Sequence, residues 1–142
     1  MTSQNPLTIK QDRQPFVSVI MNCYNSDRYL REAIESVYAQ TYDNWEIIFW
    51  DNASTDSSAD IAKSFDERLK YHRGDQNVTL GMARNLAMRK ASGDLIAFLD
   101  CDDLWCPSKL EKQVPCFANE DIGLVFSDCY LFSNNGASER VY

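Results

Sequence analysis

Short apolar runs alternate with stretches of helical periodicity from Phe16 onward, and this alternation constrains the fold more than any other feature of the sequence. The apolar, β-branched and aromatic runs predict five strands, at 17–21, 45–50, 69–72, 95–99 and 122–127. Between them, apolar residues recur three and four positions apart, as at Leu30, Ala33 and Ile34, which predicts helices that pack on a sheet. Strands and helices in alternation indicate a three-layer α/β/α fold with an open, mostly parallel sheet.

Two of these segments carry more detailed expectations. The run at 95–99 is apolar throughout, which predicts an interior strand covered on both faces. Pro115 interrupts the helical period that starts near Pro107. Because proline removes a backbone donor and clashes with the preceding turn, we expect this helix to kink or end near Val114.

The length of 142 residues fits a single domain. Residues 1–14 are polar and lack the apolar stretch of a secretory signal, so we predict a flexible N-terminal tail before a domain at 15–142. No apolar run approaches the roughly 20 residues that cross a bilayer. We therefore expect no transmembrane segment and a cytoplasmic location, with peripheral attachment at the inner face of a membrane left open.

Charge and cysteine content exclude several classes of function. Fourteen Lys and Arg residues stand against 21 Asp and Glu, a net charge of -7, which argues against nucleic acid as a partner. A phosphate-bearing small ligand is still compatible with this charge if a metal ion neutralises it locally. The five cysteines are odd in number and form no C-x-x-C pair, so we predict reduced, buried thiols.

The candidate functional residues follow the predicted strands, because ligands of open α/β sheets bind beyond the carboxyl ends of the strands. These polar clusters are 22–25, 51–52 and 100–103. Asp100, Asp102 and Asp103 repel one another unless a cation offsets their charge, and carboxylates of this kind suit Mg²⁺ or Mn²⁺. An acidic start to the next helix, complementing its dipole, explains the same residues equally well from spacing alone.

Other residues on this rim also have two interpretations. Asp51 is either a turn residue or an acceptor of hydrogen bonds from a ribose or a base. The segment 81–85 (GMARN) opens a helix, so its backbone donors and Arg84 either face a diphosphate or lie on the surface. Tyr24 either packs on the rim or covers a base. His72, the sole histidine, has no Ser or Cys obviously paired with it, which disfavours a catalytic triad.

Taken together, these segments resemble the N-terminal part of the family-two glycosyltransferases, which are inverting, GT-A-type enzymes that use nucleotide-diphosphate sugars. The resemblance is carried by VSVIMNCYN at 17–25, SVYAQTY at 36–42, WEIIFWDNASTD at 45–56, GMARN at 81–85, SGD at 92–94 and LDCDDLWCPSKL at 99–110. They occur in the family's order, and the likeness extends from about Phe16 to about Phe132.

The resemblance implies a GT-A, Rossmann-like fold that is truncated here, with the donor-binding half present and the acceptor half missing. It implies that Asn22, Tyr24 and Asp51 hold the nucleoside and that Arg84 lies near the diphosphate or sugar. The Asp-x-Asp motif of Asp100 and Asp102 would bind Mg²⁺ or Mn²⁺. The full set of expected nucleotide-sugar-binding residues is Asn22, Cys23, Tyr24, Asn25, Asp51, Asn52, Gly81, Arg84, Asn85, Asp100, Cys101 and Asp102.

The resemblance leaves the catalytic step unassigned. Inverting transfer needs a general base, which in this family usually lies in a later segment, so it is expected beyond Tyr142 and no catalytic residue is assigned. The acceptor is unidentified, with a saccharide or a lipid-linked saccharide fitting the family. An exposed apolar surface is expected where the missing half would dock, and it leaves a homodimer open.

Two other hypotheses remain. One is a catalytically inactive nucleotide-binding or protein-interaction module with the same fold. The other is a phosphoryl-switch domain, which requires a lysine near the rim, and no lysine follows any of the strand ends named above.

Overall fold

The computed structural model describes residues 14–132 and 138–141. Its elements are β1 (Val17–Cys23), α1 (Asp27–Tyr38), β2 (Trp45–Asp51), α2 (Ser58–Lys63), β3 (Leu69–Arg73), α3 (Leu80–Met88), β4 (Leu95–Phe98), α4 (Lys109–Gln113), a 3-10 helix (Val114–Ala118), β5 (Cys129–Phe132) and β6 (Ser138–Val141). The predicted tail at 1–14 lies outside the described residues except for its last position.

Four parallel strands form the main sheet, in the order β3-β2-β1-β4. Val17 at the start of β1 pairs with Trp45 of β2 on one side and with Leu95 of β4 on the other. The three strands therefore run in step, and their carboxyl ends meet at one edge. The strands β5 and β6 pair antiparallel in a separate two-stranded sheet.

Helices cover both faces of the main sheet, as the sequence predicts. On one face the apolar stripe of α1, which includes Leu30 and Ile34, packs with alternate residues of β1 and β2. On the other face Ala83 and Ala87 of α3 pack against Ile20 and its neighbours on β2. The small alanine side chains let α3 approach the sheet closely. The three-layer α/β/α architecture is confirmed.

A buried carboxylate ties the base of the sheet together. Oε1 of Glu46 accepts hydrogen bonds from the Ser18 hydroxyl at 2.6 Å and from the backbone N and hydroxyl of Ser92 at 2.9 and 2.8 Å. Lys70 of β3 forms an ion pair with the same carboxylate. Burial raises the pKa of Glu46, but the hydrogen bonds from Lys70, Ser18 and Ser92 outweigh it and hold this pKa below its ordinary value. A Cβ at Gly93 would lie 2.5 Å from the backbone N of Ser18, so the turn beside this cluster requires glycine.

The prediction of an interior strand at 95–99 is wrong for the described part of the chain. There β4 is an edge strand that pairs only with β1, and Ile96 and Phe98 are 41% and 48% exposed. An apolar run reports that a strand favours burial, and it does not specify which partner supplies the cover. The exposed apolar surface expected from the sequence is therefore present, and its association into a dimer stays a prediction.

The predicted strand at 122–127 is not formed either. This segment lacks regular structure, and Leu124 and Phe126 are 78% and 84% exposed. A β-branched and aromatic run becomes a strand only where a neighbouring strand pairs with it, and none of the described strands does. The expectation at Pro115 is confirmed, because α4 ends at Gln113 and the chain continues as a 3-10 helix.

The prediction that the five cysteine thiols are buried is only partly right. Cys23 and Cys101 are buried, whereas Cys106, Cys116 and Cys129 are exposed. The prediction of buried thiols is therefore confirmed for the two cysteines of the main core cluster and wrong for the other three.

No helix in the described ranges combines the length and the apolar character needed to cross a bilayer.

Replacing Glu46 by glutamine should destabilise the fold by about 1.5–3 kcal/mol, because the amide loses the ion pair with Lys70 and turns an N–H₂ donor toward it. Urea unfolding followed by circular dichroism measures this loss. Glu32→Gln, on the exposed face of α1, is the matched control and should change the stability by less than about 0.5 kcal/mol.

The comparison of wild type with Glu46→Gln also predicts how the stability depends on pH. Because the pKa of Glu46 is lowered on folding, its contribution is fully present above the pKa of an unfolded glutamate, roughly 4.3. The contribution is lost as the pH falls through the folded-state value. The stability difference between wild type and Glu46→Gln should therefore shrink below about pH 4. A difference that grows on acidification would contradict this account of the carboxylate.

Candidate functional site

Two adjoining pockets lie at the edge where the carboxyl ends of β1, β2 and β4 meet. The first, called here the acidic pocket, has a volume of about 340 Å³ and is lined by Asn22, Arg28, Tyr29, Leu80, Asp100 and Asp102, among others. The second, called the amide pocket, has a volume of about 220 Å³ and is lined by Asn22, Tyr24, Asn52, Asn77, Val78 and Leu80, among others. Asn22 and Leu80 belong to both, so the two pockets adjoin at these side chains.

Asn22 carries an unsatisfied amide at this junction. Its Nδ2 atom is buried and has no hydrogen-bond partner. Its backbone oxygen accepts a hydrogen bond from the Cys101 thiol at 3.2 Å, which holds the end of β1 to the chain after β4. A buried donor without a partner is uncommon in folded proteins and is costly unless a ligand or water satisfies it. The Asn22 side chain is therefore placed to donate to a ligand.

The turn after β1 is held by the turn after β2. Asn25 has a φ of 49°, in the left-handed region that asparagine tolerates better than most residues. Its side-chain oxygen accepts a hydrogen bond from the backbone N of Thr55 at 2.8 Å, and its backbone N donates to the Ser54 hydroxyl at 3.1 Å. Asn25 therefore shapes the rim, and next to it the exposed ring of Tyr24 lines the amide pocket.

Asp51 lies at the end of β2 and is fully buried. It accepts hydrogen bonds from the Tyr71 hydroxyl at 2.5 Å and from the backbone N of Ser54 at 2.7 Å, and it forms an ion pair with Arg73. Burial raises the pKa of Asp51, but these hydrogen bonds and the Arg73 charge outweigh it and keep the pKa low. Asp51 is thus an ionised carboxylate that fixes the turn leaving β2.

Asn52 forms hydrogen bonds with the loop that makes up one wall of the amide pocket. Its Nδ2 donates to the Val78 backbone oxygen at 2.8 Å and to the Asn77 side-chain oxygen at 3.1 Å. Its Oδ1 accepts from the Val78 backbone N at 3.2 Å. Because these contacts occupy both ends of the amide, Asn52 positions Val78 and the start of α3.

Two exposed carboxylates, Asp100 and Asp102, line the acidic pocket. Nη2 of Arg84 lies 2.9 Å from Oδ1 of Asp100. The pKa of Asp103 is raised by burial and then by the charges of Asp102 and Asp100, as expected where acidic groups crowd together. Two accessible carboxylates beside a pocket suit a divalent cation whose remaining ligands are phosphate oxygens and water.

No group of three or more His, Cys, Asp or Glu side chains that could hold a metal ion occurs in residues 14–132 and 138–141. The donor set of Asp100 and Asp102 therefore fits a cation that is shared with a bound phosphate. It does not fit a cation held by protein ligands alone.

The two buried thiols lie beneath this rim. Cys23 and Cys101 belong to one buried cluster, and the Cys101 side chain lowers the pKa of Cys23 to about 7 against the opposing effect of burial. Cys23 and burial together raise the pKa of Cys101. Cys101 lines the acidic pocket and Cys23 lines the amide pocket.

The structure brings together most of the residues singled out from the sequence. Five of the twelve expected residues line neither pocket: Asn25, Asp51, Gly81, Arg84 and Asn85. Asn25 and Asp51 hold the turns behind the rim and Arg84 contacts Asp100, whereas Gly81 and Asn85 are exposed on α3. Sequence reasoning missed Arg28, Tyr29, Asn77, Val78 and Leu80 as lining residues, together with the partners of Asp51, Tyr71 and Arg73. The first two lie in the first turn of the helix after β1, a position that faces the same sheet edge and could have been inferred.

Comparison with known proteins gives a consistent family match. A family model described as Glycosyl transferase family 2 matches residues 18–141. WfgD of Escherichia coli, named as a UDP-Glc:alpha-D-GlcNAc-diphosphoundecaprenol beta-1,3-glucosyltransferase, is 37% identical over 120 residues, covering 84% of this chain and 47% of WfgD. The chain spans between 37% and 50% of the length of the first three curated relatives that it matches.

Solved structures agree with this match. Staphylococcus aureus TarS in complex with UDP-GlcNAc superposes with a TM-score of 0.68 and 29% identity, covering 74% of this chain and 31% of TarS. The mannosyltransferase PcManGT from Pyrobaculum calidifontis, solved in complex with GDP-Man and Mn²⁺, superposes with a TM-score of 0.63 and 27% identity. That superposition covers 70% of this chain and 30% of PcManGT.

Removing the hydroxyl of Tyr71 should destabilise the fold by about 1.5–3 kcal/mol, because the buried, charged carboxylate of Asp51 then loses the hydrogen bond that this hydroxyl donates. Tyr71→Phe tests this by urea unfolding. Tyr130→Phe, at a tyrosine that is 58% exposed, is the matched control and should be close to neutral. Equal effects of the two substitutions would show that the Asp51 contact contributes nothing specific.

Proposed function

The chain belongs to glycosyl transferase family 2 and has the GT-A fold of its structural neighbours, and from this membership and the geometry of the two pockets we propose that it binds a nucleotide-diphosphate sugar as the donor in glycosyl transfer. The observation that carries the proposal is the junction of the two pockets at Asn22. There a buried amide without a hydrogen-bond partner has the amide pocket on one side and the pair of carboxylates on the other. A nucleotide-diphosphate sugar has the same order of parts, with a base at one end and a charged diphosphate at the other.

The nucleoside occupies the amide pocket in this proposal. Tyr24 is 50% exposed on its rim and covers the base, while the Asn22 amide donates to a ligand oxygen. Asp51 and Asn52 support the pocket from behind, since their hydrogen bonds fix the turn after β2 and the loop before α3. TarS was solved with UDP-GlcNAc and PcManGT with GDP-Man, so both uridine and guanosine are candidates for the base.

The diphosphate lies in the acidic pocket, where Asp100 and Asp102 hold Mg²⁺ or Mn²⁺. When bound, the cation neutralises the diphosphate and stabilises the charge that develops on the leaving group. Support comes from the two accessible carboxylates and from the Mn²⁺ in the PcManGT complex. Arg84, which now contacts Asp100, is close enough to the pocket to exchange this carboxylate for a phosphate oxygen.

The acceptor in this proposal is a saccharide or a lipid-linked saccharide, as in polysaccharide biosynthesis. The name of WfgD includes a diphosphoundecaprenol-linked acceptor, which supports the second class. A lipid-linked acceptor would bring the enzyme to the cytoplasmic face of a membrane. Inverting transfer also requires a general base, and the proposal assigns it to no residue of this chain.

The donor site is tested by calorimetric titration of uridine, guanosine and thymidine diphosphates with and without Mn²⁺. We expect one nucleotide to bind in a metal-dependent manner, and Asp102→Asn to weaken it at least about tenfold because a charged metal ligand is lost. Asp121→Asn, an identical change at an exposed aspartate outside both pockets, should leave the affinity unchanged.

Binding of no nucleotide to a folded wild-type protein would overturn the assignment and favour an interaction module. Metal-independent binding that Asp102→Asn leaves intact would keep the nucleotide site and overturn the metal site.

Arg84→Ala should lower the affinity for a nucleoside diphosphate roughly tenfold or more and leave the affinity for the nucleoside unchanged, because only the diphosphate reaches the guanidinium. The control is Arg89→Ala, at an exposed arginine that follows α3. Calorimetry with both ligands measures the two affinities. An equal loss for nucleoside and diphosphate would indicate that Arg84 acts on the pocket as a whole and not on the phosphates.

A further inference from the structure

The ends of β1 and β4 place two cysteines opposite each other. The parallel pairing of these strands reaches Ile20 and Phe98, and the backbone N of Leu99 still donates to the oxygen of Ile20 at 3.1 Å. Three further steps along each chain lead to Cys23 and Cys101. Neighbouring strands lie about 4.8 Å apart, and disulfides join Cα atoms about 4.4–6.8 Å apart.

The side chains confirm what the register indicates. Both side chains belong to the same buried core cluster, and the Cys101 Sγ atom lies 3.2 Å from the backbone oxygen of Asn22, the residue that precedes Cys23. Cys23 is 1% exposed and Cys101 is 5% exposed, which keeps both in a defined position. Among the described cysteines, Cys106 and Cys116 are exposed and line neither pocket.

We propose that Cys23 and Cys101 are an oxidation site at which a peroxide forms an intramolecular disulfide that closes the donor pocket. The Cys23 sulfur attacks one oxygen of the peroxide, the O–O bond breaks, and a sulfenic acid and one water are produced for hydrogen peroxide. The Cys101 sulfur then attacks the sulfenic sulfur, its S–O bond breaks, and the second water leaves with the thiol proton. In total, two thiols are oxidised and one hydrogen peroxide is reduced to two waters.

The proposed oxidant reaches both sulfurs through the donor site. Cys101 lines the acidic pocket and Cys23 lines the amide pocket, so a molecule little larger than water approaches each from the side where a nucleotide would enter. The lowered pKa of Cys23 makes its sulfur the more nucleophilic of the pair. A bound nucleotide should therefore slow the reaction by covering both entrances.

The effect of the bond on the donor site rests on the function proposed above. Cys101 lies between Asp100 and Asp102, and Cys23 lies between Asn22 and Tyr24. A disulfide has an S–S length of about 2.05 Å, much shorter than any contact between two unbonded sulfur atoms, so bond formation draws the two segments together. It also removes the hydrogen bond from the Cys101 thiol to the Asn22 oxygen. Because one lost hydrogen bond to a ligand costs about 1–3 kcal/mol and about 1.4 kcal/mol is tenfold in affinity, we expect a loss of nucleotide affinity of roughly ten- to hundredfold.

The test uses a variant that keeps only this pair, Cys106→Ser with Cys116→Ser and Cys129→Ser, treated with hydrogen peroxide. The first readout needs no nucleotide: intact mass should fall by two hydrogens, and peptide mapping should find Cys23 linked to Cys101, reversibly on addition of dithiothreitol. Cys101→Ser in the same background should give no cross-link. The second readout is calorimetry with the three nucleoside diphosphates and Mn²⁺ before oxidation, after it and after reduction.

The expected result is a cross-linked monomer that loses nucleotide affinity and regains it with dithiothreitol. Absence of the Cys23–Cys101 cross-link, or over-oxidation of either thiol in its place, overturns the proposal whatever the nucleotide does. A cross-linked protein that binds as tightly as the reduced one overturns the closing of the pocket. If the reduced protein binds no nucleotide, the proposed function fails, and with it the closing of a donor pocket, while the cross-link is still judged by its own readout.

Discussion

The parallel pairing of β1 with β2 and β4 is the constraint on which the rest of the structure depends. Because the three strands start in step at Val17, Trp45 and Leu95, their polar ends reach one edge together. Asn22 at the end of the central strand then lines both pockets. A change in either register would separate the amide-lined pocket from the carboxylates, and the proposed donor site needs both.

Two buried carboxylates at opposite ends of β2 hold this arrangement in place. Glu46 near the start of the strand is neutralised by Lys70, and Asp51 at its end is neutralised by Arg73. Both cations come from β3 and keep their side chains about half exposed, at 47% and 45%. Because the charged heads remain in contact with water, the desolvation cost falls mainly on the carboxylates, which recover it through several hydrogen bonds each. The outer strand therefore fixes the geometry of a site that it does not line.

The periodicity of the sequence predicted the helical layers and the first three strands to within two residues, because their apolar residues contact partners within the chain. It predicted β4 as an interior strand and 122–127 as a further strand, and both were wrong, since an apolar run does not identify what covers it. The acidic segment around Asp102 was found from its position after a strand. Arg73 was missed because its role depends on pairing with Asp51 across the sheet, which only the strand order reveals.

The central claim is that the ends of β1 and β4 form one donor site, and paramagnetic Mn²⁺ tests it most directly. In spectra of isotopically labelled protein with the nucleoside diphosphate that binds, Mn²⁺ broadens the amide signals of nearby residues. The account predicts that the strongest losses fall together at 22–24 and 100–103 and require the nucleotide. Losses centred on another acidic segment, such as 119–121, or broadening that is the same without nucleotide, would contradict it.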